Sequence, residues 1–247
     1  MQPRTAALVG VAGGAGTTRI AVETAAALAR DGASVGVFDA AFATQGLAQY
    51  VDGRIDTDAT SLLVDPEADL AAARHGLAPD APGEVAAYPA FAPFARIAEA
   101  KAPSAAERLE SRLAALAETH DYVLVDAPPV AANQAVAAVT SAERVAAVVP
   151  PGDRGVDSLQ RARGRLADVG SGFDLAVANR VAEAPPDADH AIPEHAETGI
   201  PGEPAALAGD SAFTASVAAL AEALFDTELA VEIEADSLLD TARQTLS

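Results

Sequence analysis

Val9-Gly10-Val11-Ala12-Gly13-Gly14-Ala15-Gly16-Thr17-Thr18-Arg19 is the stretch on which the reading of this chain turns. The apolar run Ala6 to Val9 precedes it, and an alanine-rich segment with helical spacing, Ile20 to Arg30, follows. That order reads strand, glycine loop, helix. Glycines let a backbone bend tightly and approach an anion closely. The helix behind them offers free N–H groups and the positive end of its dipole. A phosphate-binding loop therefore opens the chain, and the lysine that ordinarily completes such a loop is missing from it.

On either side of the loop, strand and helix signals alternate. Thr5 to Gly10 reads as the first strand and Thr18 to Arg30 as a helix stopped at Asp31-Gly32. Ser34 to Phe38 reads as a second strand ending in Asp39, and a unit of this length implies a right-handed crossover in a parallel sheet. Short helices are expected at Ala43–Tyr50, Ala59–Val64 and Ala68–His75, and a strand at Glu84–Tyr88. Ser104 to Glu107 has the spacing of a capping box ahead of a helix with Leu109, Leu113 and Leu116 on one stripe. Tyr122 to Val125, ending in Asp126, reads as a strand buried on both faces. Helices at Ala132–Thr140, Asp157–Val169 and Ser211–Phe225 alternate with strands at Arg144–Val149 and Phe173–Ala178. The expectation is a single α/β domain, doubly wound, its mostly parallel sheet covered by helices on both faces. It is placed at residues 1–227, with an acidic tail that can form a helix at 228–247.

Composition narrows the classes. A chain of 247 residues can bury a large core, and the absence of cysteine excludes disulfides and thiolate metal sites. No leader-like segment and no membrane-spanning apolar run is evident, so a cytoplasmic location is expected. The formal net charge is -20 and Lys101 is the only lysine. Such a surface repels nucleic acid and anionic membranes. We read it as adaptation of a whole proteome to high intracellular salt, a halophilic trait.

In a doubly wound sheet, ligands bind beyond the C-terminal ends of the strands. Gly13 to Thr18, Asp39, Asp126 and Asn179 all fall there. Two carboxylates and a glycine loop in one crevice suit a phosphate with Mg²⁺. The loop N–H groups would hold oxygens, the Thr18 hydroxyl would ligate the metal, and Asp126 would act on it through water.

With these residues in place, the chain resembles the ParA/MinD-type P-loop ATPases, whose Walker A loop is itself deviant. Ala12-Gly13-Gly14-Ala15-Gly16-Thr17-Thr18 resembles that loop, and Phe38-Asp39-Ala40 the family's second motif. Asp121 to Pro129 resembles the Walker B segment, Val177-Ala178-Asn179-Arg180 the segment whose Asn meets adenine, and Ile192-Pro193-Glu194 the turn that follows. The resemblance implies a P-loop NTPase fold, ATP or ADP with Mg²⁺ as ligand, and an ATP-sandwich homodimer that positions plasmids, chromosomes or division machinery. It implies that Gly13, Gly14, Ala15, Gly16, Thr17 and Thr18 hold phosphates and metal, and that Asp39 handles the attacking water. It further implies that Asp126 acts on the metal, and that Asn179 and Arg180 meet the nucleotide.

Two positions depart from the family. Ala12 stands where it has its signature lysine, and Thr17 where it has the P-loop lysine. Those cations neutralise phosphate charge, so hydrolysis is expected to be weak or absent. Arg19, one place past Thr18, is read as a surface residue rather than a replacement. Two alternatives stay open. One is a pseudo-ATPase that serves as a dimerising scaffold without turnover. The other is a dinucleotide-binding protein, since Gly10 to Gly16 also fits a dehydrogenase loop with Asp39 on the ribose. The lack of a Tyr-x-x-x-Lys pair weighs against the second, because Ile97 stands four places before Lys101. The tail Leu229 to Ser247 is too acidic for a basic membrane anchor and fits docking on an unidentified protein partner better. Arg154, Arg161, Arg163 and Arg165 form a local basic cluster, read as salt-bridged to nearby acids, so direct nucleic-acid binding is not expected.

Overall fold

The computed structural model describes residues 2–78, 80–196, 203–209 and 211–230. Its frame is an eight-stranded sheet. The strands are β1 (Thr5–Gly10), β2 (Ser34–Asp39), β3 (His75–Leu77), β4 (Glu84–Tyr88), β5 (Tyr122–Ala127), β6 (Arg144–Val149), β7 (Leu175–Asn179) and β8 (His190–Ile192), in the order β3-β4-β2-β5-β1-β6-β7-β8. Every pairing is parallel except that of β3 with β4. Seven helices are described: α1 (Thr17–Arg30), α2 (Ala59–Val64), α3 (Phe94–Ala100), α4 (Pro103–Thr119), α5 (Asn133–Ser141), α6 (Asp153–Asp168) and α7 (Ala212–Phe225).

The two-residue period of the strands sorts the core into two layers. On one face Ala6, Leu8, Val35, Val37, Leu124 and Val148 pack under α1 and α7. On the other, Ala7, Val9, Phe38, Val123 and Val125 meet α2, α4 and α5, and Ala147, Val149 and Ala176 meet Leu159 and Ala162 of α6. Both faces being covered explains why the central strands read as continuous apolar runs rather than alternating ones. The expected doubly wound α/β architecture is therefore what the chain adopts. β5 lies between β1 and β2, which sets Asp39 and Asp126 opposite each other at the ends of neighbouring strands.

Several local expectations are corrected. The helix expected at Ala68–His75 is only a 3₁₀ turn at Ala71–Ala73, followed by β3. The carboxylates of Asp65 and Asp69 accept the N–H groups of Glu67 and Ala71, a local bonding that competes with a helix. Ala43–Tyr50 is likewise helical only at Leu47–Tyr50, because Gln45 takes φ 51° and breaks the run. The capping box at Ser104 does not form. Pro103 already occupies the first turn of α4 and Ala102 is the uncapped N-cap, so Ser104 sits inside the helix. α3 was not expected, and α6 begins at Asp153, a turn before the anticipated Asp157. After α7, Asp226 turns into the left-handed region and residues 227–230 have no regular structure. The rest of the acidic tail lies outside the described residues. Among the described residues no helix is long and apolar enough to cross a membrane.

Candidate nucleotide site

The glycine loop leaves β1 at Gly10 and enters α1 at Thr17, with Gly14 (φ 74°) and Gly16 (φ 86°) both in the left-handed region. Gly16 is the N-cap of α1; no side chain caps that helix, and its first turn holds no acidic residue. The N–H groups that a capping side chain would otherwise satisfy are left to an incoming anion. They border a cavity of about 260 Å³ lined by residues 12–18, by Asp126 to Pro129, and by Ala41, Thr44, Gly46 and Gln49.

Below the loop, the Thr18 hydroxyl donates to Asp126 Oδ2 at 2.5 Å. Asp39 lies beside Asp126 and accepts from the N–H groups of Ala41 (2.8 Å) and Ala90 (3.4 Å). Both carboxyls are buried, Asp39 completely. Desolvation raises the Asp39 pKa, and the neighbouring Asp126 raises it further, to about 8. Desolvation also raises Asp126, while the Thr18 hydroxyl pulls it back. The pair therefore retains a proton in the neutral range, held on the Asp39 side. Asp39 does not line the cavity.

Because the Asp39 pKa is raised on folding, its contribution to stability is full below about pH 4, the unfolded value, and is lost as pH rises towards 8. Asp39→Asn removes that titration. Its melting temperature should match the parent near pH 4 and exceed it by a margin of several degrees that widens as pH rises to 8. Thermal melts of both proteins across that range check it; a gap independent of pH would contradict it.

The remaining predicted residues are brought to the loop from outside. Asn179 Nδ2 donates to Ala15 O at 2.8 Å and lies so close to Gly16 that a Cβ there would strike it. Arg180, at φ 60°, donates to Gly14 O at 2.7 Å. Neither lines the cavity. Arg19 turns away from the loop: its Nε is 3.6 Å from Glu23 and its guanidinium lies 5.4 Å from the centre of the Phe213 ring. Lys101 ends α3, where its carbonyl accepts from Asn133. Among the described residues, no lysine or arginine lines the cavity.

Sequence reasoning missed the far wall, Ala41 to Gln49. Gly46 approaches Thr18 so closely that a Cβ would sit 2.7 Å from its hydroxyl. A glycine shortly after an acidic strand end was the only signal for it. The basic cluster also differs from expectation: among the described residues Arg154, Arg161, Arg163 and Arg165 form no ion pair within 4 Å.

The donor set fits a magnesium ion held in the P-loop manner. Among the described residues no cluster of three or more acidic, His or Cys side chains forms a metal cage. Thr18 and Asp126 instead place two oxygens together below the loop, and phosphate and water would complete the shell. Among the described residues, the cavity lining offers no positive side chain to an anion.

A glycine loop between β1 and α1, with a Thr–Asp pair beneath it on a mostly parallel, doubly wound sheet, defines an α/β fold of the P-loop NTPase class. The family model of ATPase MipZ matches residues 7–158, and the chain belongs to that family. No curated protein sequence matches significantly. Among solved structures, the septum site-determining protein MinD of Pyrococcus horikoshii OT3, complexed with Mg-ADP, superposes with TM-score 0.74 at 21% identity, covering 89% of this chain and 94% of that one. The ParA family ATPase of Chlorobium tepidum TLS gives 0.73 at 17%, covering 89% and 98%. A chain of the MinC:MinD cell division protein complex of Aquifex aeolicus gives 0.73 at 20%, covering 93% and 98%. At these identities the likeness speaks for the fold.

Proposed function

We propose that this protein is a switch that binds ATP and ADP with Mg²⁺ and hydrolyses ATP slowly or not at all. The observation that carries the reading is the Thr18–Asp126 pair, 2.5 Å apart beneath an uncapped helix N-terminus, in a cavity whose lining holds no cation. Residues 13–18 hold the phosphates through backbone N–H groups. Thr18 ligates the metal, Asp126 acts on it through water, and Asn179 and Arg180 meet the nucleotide from the outer side of the loop. A volume of about 260 Å³ falls below the usual range for whole small-molecule sites, so it takes the phosphate tail and metal rather than the base. Bound Mg²⁺ would supply the charge compensation that the loop lacks.

Asp39 is the group assigned to the attacking water. A buried carboxyl that keeps its proton at neutral pH is a poor base. Together with the missing lysines, this favours slow turnover and keeps the scaffold reading, without turnover, as the second one. A dinucleotide reading needs the Asp39 carboxylate open to a ribose, and it is sealed.

The cellular role proposed is positioning or regulation in the cytoplasm of a halophilic cell, as a homodimer acting on a protein partner. The MinC:MinD complex gives a precedent for such a partner on this fold. The working unit is residues 1–227, and the acidic segment from 228 onward serves partner docking. Calorimetric titration with ATP, ADP and NAD, with and without Mg²⁺ in molar salt, tests the nucleotide reading. ATP and ADP should bind, more tightly with Mg²⁺, and NAD should not. Absence of binding by both adenine nucleotides leaves only the scaffold, and binding of NAD alone returns the dinucleotide reading.

A further inference from the structure

We infer that Arg180 is the cation of this phosphate loop, delivered from the end of β7 and acting through the loop's own peptide groups. The inference rests on the nucleotide reading above and concerns how the site tolerates phosphate charge without a lysine.

Two consecutive residues at the end of β7 grip two consecutive loop carbonyls: Arg180 donates to Gly14 O at 2.7 Å, and Asn179 donates to Ala15 O at 2.8 Å. The peptide bonds here are trans, so a carbonyl and the following N–H lie in one plane and point in opposite directions. Tying the Gly14 and Ala15 oxygens outward therefore turns the N–H groups of Ala15 and Gly16 inward, towards the cavity that both residues line. Concave rows of N–H groups of this kind bind anions. A guanidinium on the far oxygen also polarises the peptide and strengthens its N–H as a donor. Its charge thus stands one peptide unit away from the bound phosphates.

Two further observations support a specific role. Arg180 occupies φ 60°, a region that a residue with a long side chain rarely adopts. The other nearby cation, Arg19, is turned to Glu23 and Phe213. Arg180 is thus a positioning residue with a charge, not a group that touches the reacting atoms. It is solvent-exposed, so added salt should weaken its effect.

The test is calorimetry with Mg-ATP, Mg-ADP and adenosine on the full chain and on the Arg180→Gln and Arg180→Lys variants. If Arg180 acts by charge, Arg180→Gln weakens ATP by about tenfold and ADP by about threefold and leaves adenosine unchanged, and the losses shrink as salt rises. Arg180→Lys keeps the ordering of ATP over ADP because it keeps the charge. Equal weakening of all three ligands by Arg180→Gln makes the contact merely structural and overturns the inference, as does no weakening at all. If Arg180→Gln does not fold, loss of the ATP preference in Arg180→Lys overturns it equally. A wild-type protein that binds none of the three ligands overturns the nucleotide reading itself, and this inference with it.

Discussion

Replacing Thr17 by Lys should tighten Mg-ATP binding by roughly 10- to 100-fold and raise turnover by about 100-fold or more, the scale on which one preorganised electrostatic contact acts. The site explains why so small a change has so large an effect. Thr17 opens α1, and its hydroxyl folds back over Gly10, 2.6 Å from where a Cβ would stand on that residue. The glycine at this point is what lets the residue-17 side chain approach the end of β1. The position is half-buried, so the lysine stem need not displace core. The lining of the cavity holds no cation, and an added ammonium would face phosphate charge without competition from another side chain. Calorimetry and phosphate release on Thr17→Lys check both parts. Unchanged affinity would show that missing charge is not what limits the site.

Asp126→Asn should move stability and ligand binding in opposite directions. In the free protein it removes one of two adjacent buried carboxyls, each of which resists ionisation. The variant should therefore melt higher than the parent at pH 8, where the cost of the pair is greatest. Its amide oxygen can still accept from the Thr18 hydroxyl, so the fold around the loop survives. It carries no charge for the metal shell, however. The gain in nucleotide affinity on adding Mg²⁺ should fall by roughly 10- to 100-fold, as for other groups that order a metal's ligands. Melting curves and titrations with and without Mg²⁺ on the same preparation separate the two effects. A variant that is both less stable and fully Mg²⁺-responsive would place the metal elsewhere.

The sequence revealed those parts of the site that are encoded locally. The loop at Gly10 to Thr18 and the strand ending at Asp126 each carry their own pattern, glycines before a helix and an apolar run before an acid, and both stand where the pattern puts them. The succession of strands and helices along the chain gave the doubly wound sheet for the same reason. Contacts made across long stretches of chain were not legible. The grips of Asn179 and Arg180 on the loop span 164 and 166 residues and depend on a left-handed backbone at Arg180 that no side-chain pattern signals. The sealing of Asp39 depends on Ala90, 51 residues on. Short-range competition hid the remainder: Asp65 and Asp69 bond their own backbone where helix spacing suggested a turn of α-helix, and Pro103 starts α4 ahead of Ser104.

On the proposed reading, the loop keeps the geometry of a nucleotide site and lacks the charge for hydrolysis, with part of that charge restored through Arg180. Titration of the wild-type protein with Mg-ATP, followed by measurement of phosphate release from the saturated sample, tests this most directly. Saturable, Mg²⁺-strengthened binding with release slower by orders of magnitude than the roughly 1–100 s⁻¹ typical of kinases is the result predicted. Saturation accompanied by release within that range would contradict the account, as would failure to bind Mg-ATP at all.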